Sequence, residues 1–279
     1  MLTRTRLPTT PGAACENAAV STTRENPFRD TELRHLHHIR RFMRLLPTEP
    51  RCKLCHSPYK GVGRLLKPFG FAPSRKNPNM CRRCFEYAPL GGLEREVGIL
   101  FADVRGFTSL AERMSPEEVS RLLRRFYEVS AEALLRHDAV IDKMVGDEVM
   151  AIFIKPLMSE PPIEGMVSAG EEILRAAGYG GPEEPWLPLG VGADFGTAFV
   201  GNIGSDEVVK DFTALGDVVN TASRLQGCAG PGQMVLSARV YEGVRERYPA
   251  AEAIELELKG KSEPVPARVI DLRVAAGTT

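Results

Sequence analysis

The chain has 279 residues, with 36 Lys and Arg balanced by 36 Asp and Glu, and six cysteines. That length holds one full core of roughly 150 to 200 residues plus a small module. No run approaches the about 18 apolar residues that span a bilayer and no continuous apolar core of a secretory signal opens the chain, so a soluble, cytoplasmic protein is expected.

The zero sum hides an asymmetry. Residues 1–92 carry 17 basic against 6 acidic side chains, and the remainder 19 against 30. A basic front can meet nucleic acid, an anionic membrane, an acidic partner or the acidic half of its own chain, and charge alone does not choose. Residues 1–30, rich in Thr, Pro, Ala and Arg without an apolar period, are expected to form a disordered tail. Over residues 31–47, Leu33, Leu36, Ile39, Phe42, Met43 and Leu46 recur three or four apart among Arg and His. This predicts an amphipathic helix stopped by Pro47, which packs on the adjacent module or meets a membrane or a partner helix.

Residues 48–92 hold Cys52-Lys53-Leu54-Cys55 and Cys81-Arg82-Arg83-Cys84, with Gly61, Gly63, Pro68 and Gly70 in the 25-residue stretch between them. In a reducing compartment such pairs more often bind metal than form disulfides. Each Cys-x-x-Cys turn supplies two sulfurs to one ion, so Cys52, Cys55, Cys81 and Cys84 make a tetrahedral zinc set. With all four ligands from protein sulfur no position is left for substrate, and the zinc is expected to be structural. His56 could replace a cysteine, but the set is complete without it. A thioredoxin-like redox pair lacks the neighbouring strand-helix-strand pattern. Cys15 and Cys228 are left unassigned.

After Pro89-Leu90-Gly91-Gly92 the pattern changes to alternating apolar runs and helical periods, which marks a second domain over 93–275. Val97–Ala102 reads as a buried strand running into Asp103-Val104-Arg105-Gly106-Phe107-Thr108. A strand-end carboxylate before a glycine turn is either a capping aspartate or a hard oxygen ligand beside backbone N–H groups that can face phosphate. Ser115-Pro116-Glu117-Glu118 opens a helix with a capping box, and Val119, Leu122, Leu123, Phe126, Val129, Ala133 and Leu134 form its buried stripe. Val140–Phe153 reads as a hairpin turning at Gly146-Asp147, with Lys143 on the incoming strand. It is an ordinary surface hairpin or the carrier of one metal ligand and one base-reading donor. Beyond a helix over Ile163–Ala177, two strands, Trp186–Asp194 and Thr197–Ile203, are expected with a turn at Phe195-Gly196. Phe212–Gly216 leads into a helix from Asp217 to about Ala229, on which Asn220 and Arg224, four apart, share a face suited to ribose and phosphate or merely to solvent. Strands at Gln233–Ser237, Ile254–Leu258 and Arg268–Arg273, with a short helix near Val240, complete the pattern.

Three stretches together resemble the class III nucleotidyl cyclase catalytic domain: Phe101-Ala102-Asp103-Val104-Arg105-Gly106-Phe107-Thr108, Lys143-Met144-Val145-Gly146-Asp147, and Phe212-Thr213-Ala214-Leu215-Gly216-Asp217-Val218-Val219-Asn220-Thr221-Ala222-Ser223-Arg224-Leu225. Three motifs in order and at the right spacing are far more specific than a lone glycine loop. The resemblance implies an α+β, ferredoxin-like βαββαβ domain behind the four-cysteine module. It implies that Asp103, Asp147 and the Val104 carbonyl hold two Mg or Mn ions, and that Gly106, Phe107 and Thr108 flank the bound nucleotide. Asn220 would orient the ribose, and Arg224 would stabilise the transition state. Lys143 and Thr213 would read adenine, so the implied enzyme is an adenylyl cyclase acting on ATP, and the threonine resembles the subgroup associated with bicarbonate response. A homodimer with shared sites is implied as well. A guanylyl cyclase, or a non-catalytic nucleotide-binding dimer whose zinc module grips a partner, are the competing readings.

Overall fold

The computed structural model describes residues 39–46, 49–88, 90–205, 210–257 and 263–273. The expected tail over 1–30 and most of the expected helix over 31–47 lie outside them. A helix, α1, covers residues 39–43, with Met43 buried and Ile39 partly so. Phe42, expected on the same apolar face, is 62% exposed. Ile39 and Met43, an i, i+4 pair, are the buried side of the helix among the described residues.

The four-cysteine segment follows. A 3₁₀ stretch over Gly61–Phe69 and the single-turn α2 (Arg82–Phe85) lie between and after its cysteine pairs. The sheet begins with β1 (Gly91–Val104), which is longer at both ends than the expected Val97–Ala102. The glycine pair at Gly91-Gly92 is therefore strand, not linker. A short helix α3 (Phe107–Ala111) and the long α4 (Pro116–Arg136) lead to β2 (Val140–Val145) and β3 (Glu148–Phe153). The capping box of α4 is complete: Glu118 N–H donates to Ser115 Oγ at 3.3 Å, and Ser115 N–H donates to the Glu118 carboxylate at 2.7 Å. Such a cap contributes about 1 kcal/mol. After α5 (Pro162–Ala176) come β4 (Leu189–Gly204), β5 (Lys210–Leu215), α6 (Asp217–Cys228), β6 (Gln233–Ser237), α7 (Ala238–Glu242), β7 (Glu252–Leu256) and β8 (Val265–Asp271).

The strands run β2-β3-β1-β4-β6-β8-β7 across the sheet, with β5 paired to β4. The order β2-β3-β1-β4, antiparallel throughout, with α4 and α5 as the two crossovers, is the ferredoxin-like βαββαβ arrangement. The expected turn at Phe195-Gly196 is absent. Gly196 and Phe195 lie in register opposite Val97 and Gly98 inside one continuous β4. A glycine makes a turn only if the chain needs its special angles, and here pairing with β1 along the whole length holds it extended. Trp186 lies before β4, and its indole N–H donates to the Ala176 carbonyl at 2.8 Å, closing the end of α5.

Alternation along β1 divides the core. Leu100, Ala102 and Val104 face α4 and α5, while Val97, Ile99 and Phe101 face the other way. On α4, Phe126, Ala133 and Leu134 are buried as the stripe requires, whereas Val119, Leu122, Leu123 and Val129 are only half-buried and Ser130 takes an inner position. The second face is covered by α6, by β5 and by the four-cysteine segment. There Met80 and Phe85 join one apolar cluster with Ile99, Val140 and Met150. Gly192 of β4 lets α6 lie directly on the strand, since a Cβ there would stand 2.0 Å from the Gln226 backbone nitrogen.

The segment is thus docked on the sheet. Asn77 makes two hydrogen bonds with the Ile141 backbone of edge strand β2, at 3.0 and 2.9 Å. Lys53 pairs with Asp138 at 2.8 Å and Lys76 with Asp211 at 2.5 Å. These basic residues of the front segment meet acidic residues of the same chain. Among the described residues no helix is long and apolar enough to cross a membrane.

Candidate functional site

β1 ends at Val104 beside the tip of the β2–β3 hairpin, where Val104 N–H donates to the Asp147 carbonyl at 3.1 Å. This backbone link brings together Asp103 and Asp147, 44 positions apart in the chain, close enough for the charge of Asp147 to act on the Asp103 carboxyl. The turn depends on Gly146, whose φ of 60° belongs to the left-handed region. Tyr127 of α4 clamps it from outside, donating its hydroxyl to the Gly146 carbonyl at 2.6 Å. Gly106, with φ of 68°, turns the chain after Arg105 into α3, so half-buried Phe107 and exposed Thr108 follow the carboxylates directly.

Negative charge accumulates at this corner. Burial pushes the Asp103 carboxyl above its usual range; the Arg105 guanidinium, ion-paired with it, opposes this, and Asp147 adds to it. Glu148, opposite Asp103 in the β1–β3 register, is raised by burial and then by Asp103. Tyr127 is raised by burial and by Asp147. Crowded, half-buried carboxylates at this turn are a donor set suited to hard divalent cations, whose charge would relieve the mutual repulsion.

Lys143 and Thr213 are brought together by a residue the motifs did not single out. Asp142 is 1% exposed; its Oδ2 accepts from the Thr213 hydroxyl at 3.0 Å and lies 3.6 Å from Lys143 Nζ. β5 reaches this point because Phe212 and Ala214 pack into the second-face cluster with Val140 and Met150, and the Phe212 ring stands 5.3 Å from that of Phe85. Burial raises the Asp142 carboxyl, against the pull of Lys143 and of the Thr213 hydrogen bond.

Asn220 and Arg224 make no hydrogen bond or ion pair with either group among the described residues. They lie on α6, Asn220 exposed and Arg224 half-buried. Sequence reading missed Asp142, Glu148, Tyr127 and Arg105. The available signal was a carboxylate, Asp142, inside an otherwise apolar strand next to a lysine; nothing local marks Tyr127.

The four cysteines also converge. Their sulfurs lie within 4.8 Å of one another, and Cys55 and Cys81 are 3.7 Å apart. A Zn–S bond of about 2.3 Å gives a tetrahedron edge of roughly 3.8 Å, so the spacing fits one ion. Cys81 N–H donates to Cys52 Sγ at 3.3 Å, a bond that favours thiolate. Mutual hydrogen bonds, first with Cys55, hold the Cys52 thiol far below its usual range, while those from Cys52 push Cys55 and Cys84 up. His56, with φ of 60°, turns the chain after Cys55.

Residues 93–268 match the family model described as the adenylate and guanylate cyclase catalytic domain. An uncharacterized protein of Mycobacterium tuberculosis is 30% identical over 184 residues, 64% of this chain and 33% of its own length. Adenylate cyclase 1 of Rhizobium meliloti is 32% identical over 161 residues, 53% of this chain and 23% of its own. The chain thus spans about a third or less of these curated relatives. Among solved structures, the guanylyl cyclase Cya2 superposes with a TM-score of 0.58 at 30% identity, over 66% of this chain and 95% of that one. The adenylyl cyclase CyaB from P. aeruginosa gives 0.56 at 28% identity, over 67% and 100%.

Proposed function

This chain belongs to the adenylate and guanylate cyclase catalytic-domain family, and we propose that it converts ATP to 3′,5′-cyclic AMP and pyrophosphate. The observation that carries this reading is the adjacency of Asp103 and Asp147 at the hairpin tip. Two divalent ions held there by the two carboxylates and the Val104 carbonyl would favour ionisation of the ribose 3′ hydroxyl and offset charge on the departing pyrophosphate. The 3′ oxygen gives its proton to solvent water and bonds to the α-phosphorus, and the bond from that phosphorus to the pyrophosphate oxygen breaks, its electron pair leaving with the pyrophosphate. Asn220 orients the ribose, and the forked donors of Arg224 meet the charge that gathers at phosphorus. Gly106, Phe107 and Thr108 border the triphosphate.

ATP is favoured by the pairing of Lys143 with Thr213. An ammonium and a hydroxyl oxygen complement the ring acceptor and amino donor of adenine, whereas guanine asks for an acceptor where Lys143 stands. The second reading, a guanylyl cyclase, draws on the resemblance to Cya2, and competition between ATP and GTP decides between them.

The active form is a head-to-tail homodimer in which Asp103 and Asp147 of one copy face Asn220 and Arg224 of the other. One observation supports it: the exposed apolar side chains of Val145 and Leu215, 65% and 54% accessible, on the elements that carry Lys143 and Thr213. The four-cysteine segment binds one structural zinc. Purified protein with Mn and ATP is expected to release pyrophosphate and cyclic AMP, and Asp147→Ala and Arg224→Ala to be inactive alone. Mixed in equal amounts, the two variants form heterodimers with one intact site and recover roughly a quarter of wild-type activity. Failure of the wild type to make any cyclic nucleotide at high protein concentration rejects the enzyme reading; failure of the mixture rejects the shared site.

A further inference from the structure

Asp142 occupies the extra position of a bulge in the β2–β3 ladder, between Ile141, paired with Ala151, and Lys143, paired with Met150. A bulge re-aims the side chains around it. Here it leaves a carboxylate buried on the second face of the sheet, with Lys143 Nζ able to approach the same oxygen that Thr213 donates to. A carboxylate on the inner side of an apolar strand is costly unless its bonds matter. The Asp142 Oδ1 atom, moreover, is buried with no hydrogen-bond partner among the described residues. Structural stability alone does not account for it.

We propose that Asp142 is the positioning residue that decides base preference, by holding the Thr213 hydroxyl proton so that Thr213 can only accept a hydrogen bond from the purine. A threonine hydroxyl has one proton and two lone pairs, and an ionised carboxylate only accepts. With the proton committed to Asp142 Oδ2 at 3.0 Å, the Thr213 oxygen has only lone pairs left to offer a base. Lys143 shows only donors. The pair therefore reads a purine with a ring acceptor and a 6-amino donor, and rejects one with a ring N–H and a 6-oxo group. A free threonine would rotate to suit either base. Burial raises the Asp142 carboxyl, and of the charged groups that face it Lys143 and Lys76 favour its ionised, accepting form while Asp211 opposes it. This deepens the adenine reading above and rests on it.

The test measures catalytic efficiency for ATP and GTP, or equilibrium affinity for both should turnover be absent, in the wild type, Asp142→Asn, Thr213→Val and the double variant. An amide can turn a donor toward Thr213, so Asp142→Asn is expected to lower the ATP:GTP ratio at least tenfold. In the Thr213→Val background the same change is expected to leave the ratio where Thr213→Val put it, a coupling that mere loss of packing would not produce. A wild type preferring ATP with an unchanged ratio in Asp142→Asn, or with additive effects, overturns the role of Asp142 and leaves the adenylyl reading standing. A wild type preferring GTP overturns both. If Asp142→Asn does not fold, the wild type is tested with inosine triphosphate, which differs from ATP at the 6-position and ring nitrogen. Rejection as strong as that of GTP supports the proposal, and use as good as that of ATP refutes it.

Discussion

Replacing Asn77 by alanine tests whether the four-cysteine segment holds the edge strand β2 in place. Asn77 is 1% exposed and Ile141 5% exposed, and the two hydrogen bonds between them, at 3.0 and 2.9 Å, satisfy both backbone groups of Ile141 on the outer edge of β2. An unsatisfied buried polar group costs about 1–3 kcal/mol; for two such groups, partly rescued by water entering the vacated space, the loss comes to about 3 kcal/mol. For a protein of this size that corresponds to a fall in Tm of roughly 6–12 °C. Because Ile141 directly precedes Asp142 and Lys143, the loss is expected to appear in function as a raised KM for ATP, with kcat less affected. Thermal unfolding followed by circular dichroism, paired with initial-rate kinetics, measures both. A Tm within about 2 °C of wild type, with KM unchanged, would refute the idea that this pair anchors the edge strand.

Further outcomes are open to direct measurement. Asp103→Ala and Asp147→Ala are each expected to abolish turnover while leaving Tm equal to or above wild type in metal-free buffer, since either change removes one of two mutually repelling carboxylates; a large fall in Tm would show that these groups serve the fold instead. Removing zinc with a chelator, or substituting Cys52→Ser or Cys84→Ser, is expected to lower Tm and to reduce metal content from one zinc per chain, and an unchanged content would exclude the four-sulfur site. Asp271, bonded by Arg273 and by Gln233, has its carboxyl held down to about 2 from an ordinary 3.8. A depressed carboxylate contributes stability that is present above its unfolded value and is lost as pH falls through the folded one. The stability gap between wild type and Asp271→Asn should therefore be full at pH 5 and shrink toward pH 2, and a gap independent of pH would contradict the pairing.

Local chemistry carries far in this chain. The capping box at Ser115 and Glu118, the glycine at the hairpin tip and the continuous apolar run through Ile99, Leu100 and Phe101 act over a few residues, and the structure forms a helix, a turn and a strand where they stand. The failures are equally physical. Phe195-Gly196 has the composition of a turn but lies extended, because pairing with β1 over fourteen residues outweighs a local preference.

The resemblance of three motifs to the cyclase family named Asp103, Asp147, Lys143, Thr213, Asn220 and Arg224, and the cysteine spacing named a four-sulfur set, since both are legible in covalent order. Which of these residues meet within one chain depends on contacts between segments far apart in sequence. Only the folded sheet puts Asp103 beside Asp147 and folds β5 back so that Thr213 reaches Asp142. The docking of the cysteine segment through Asn77 and Phe85 is of the same kind. A side chain's type and its neighbours along the chain are written in the sequence, but its partner across space is set by how apolar faces close on one another. That closure is a property of the whole sheet and not of any stretch within it.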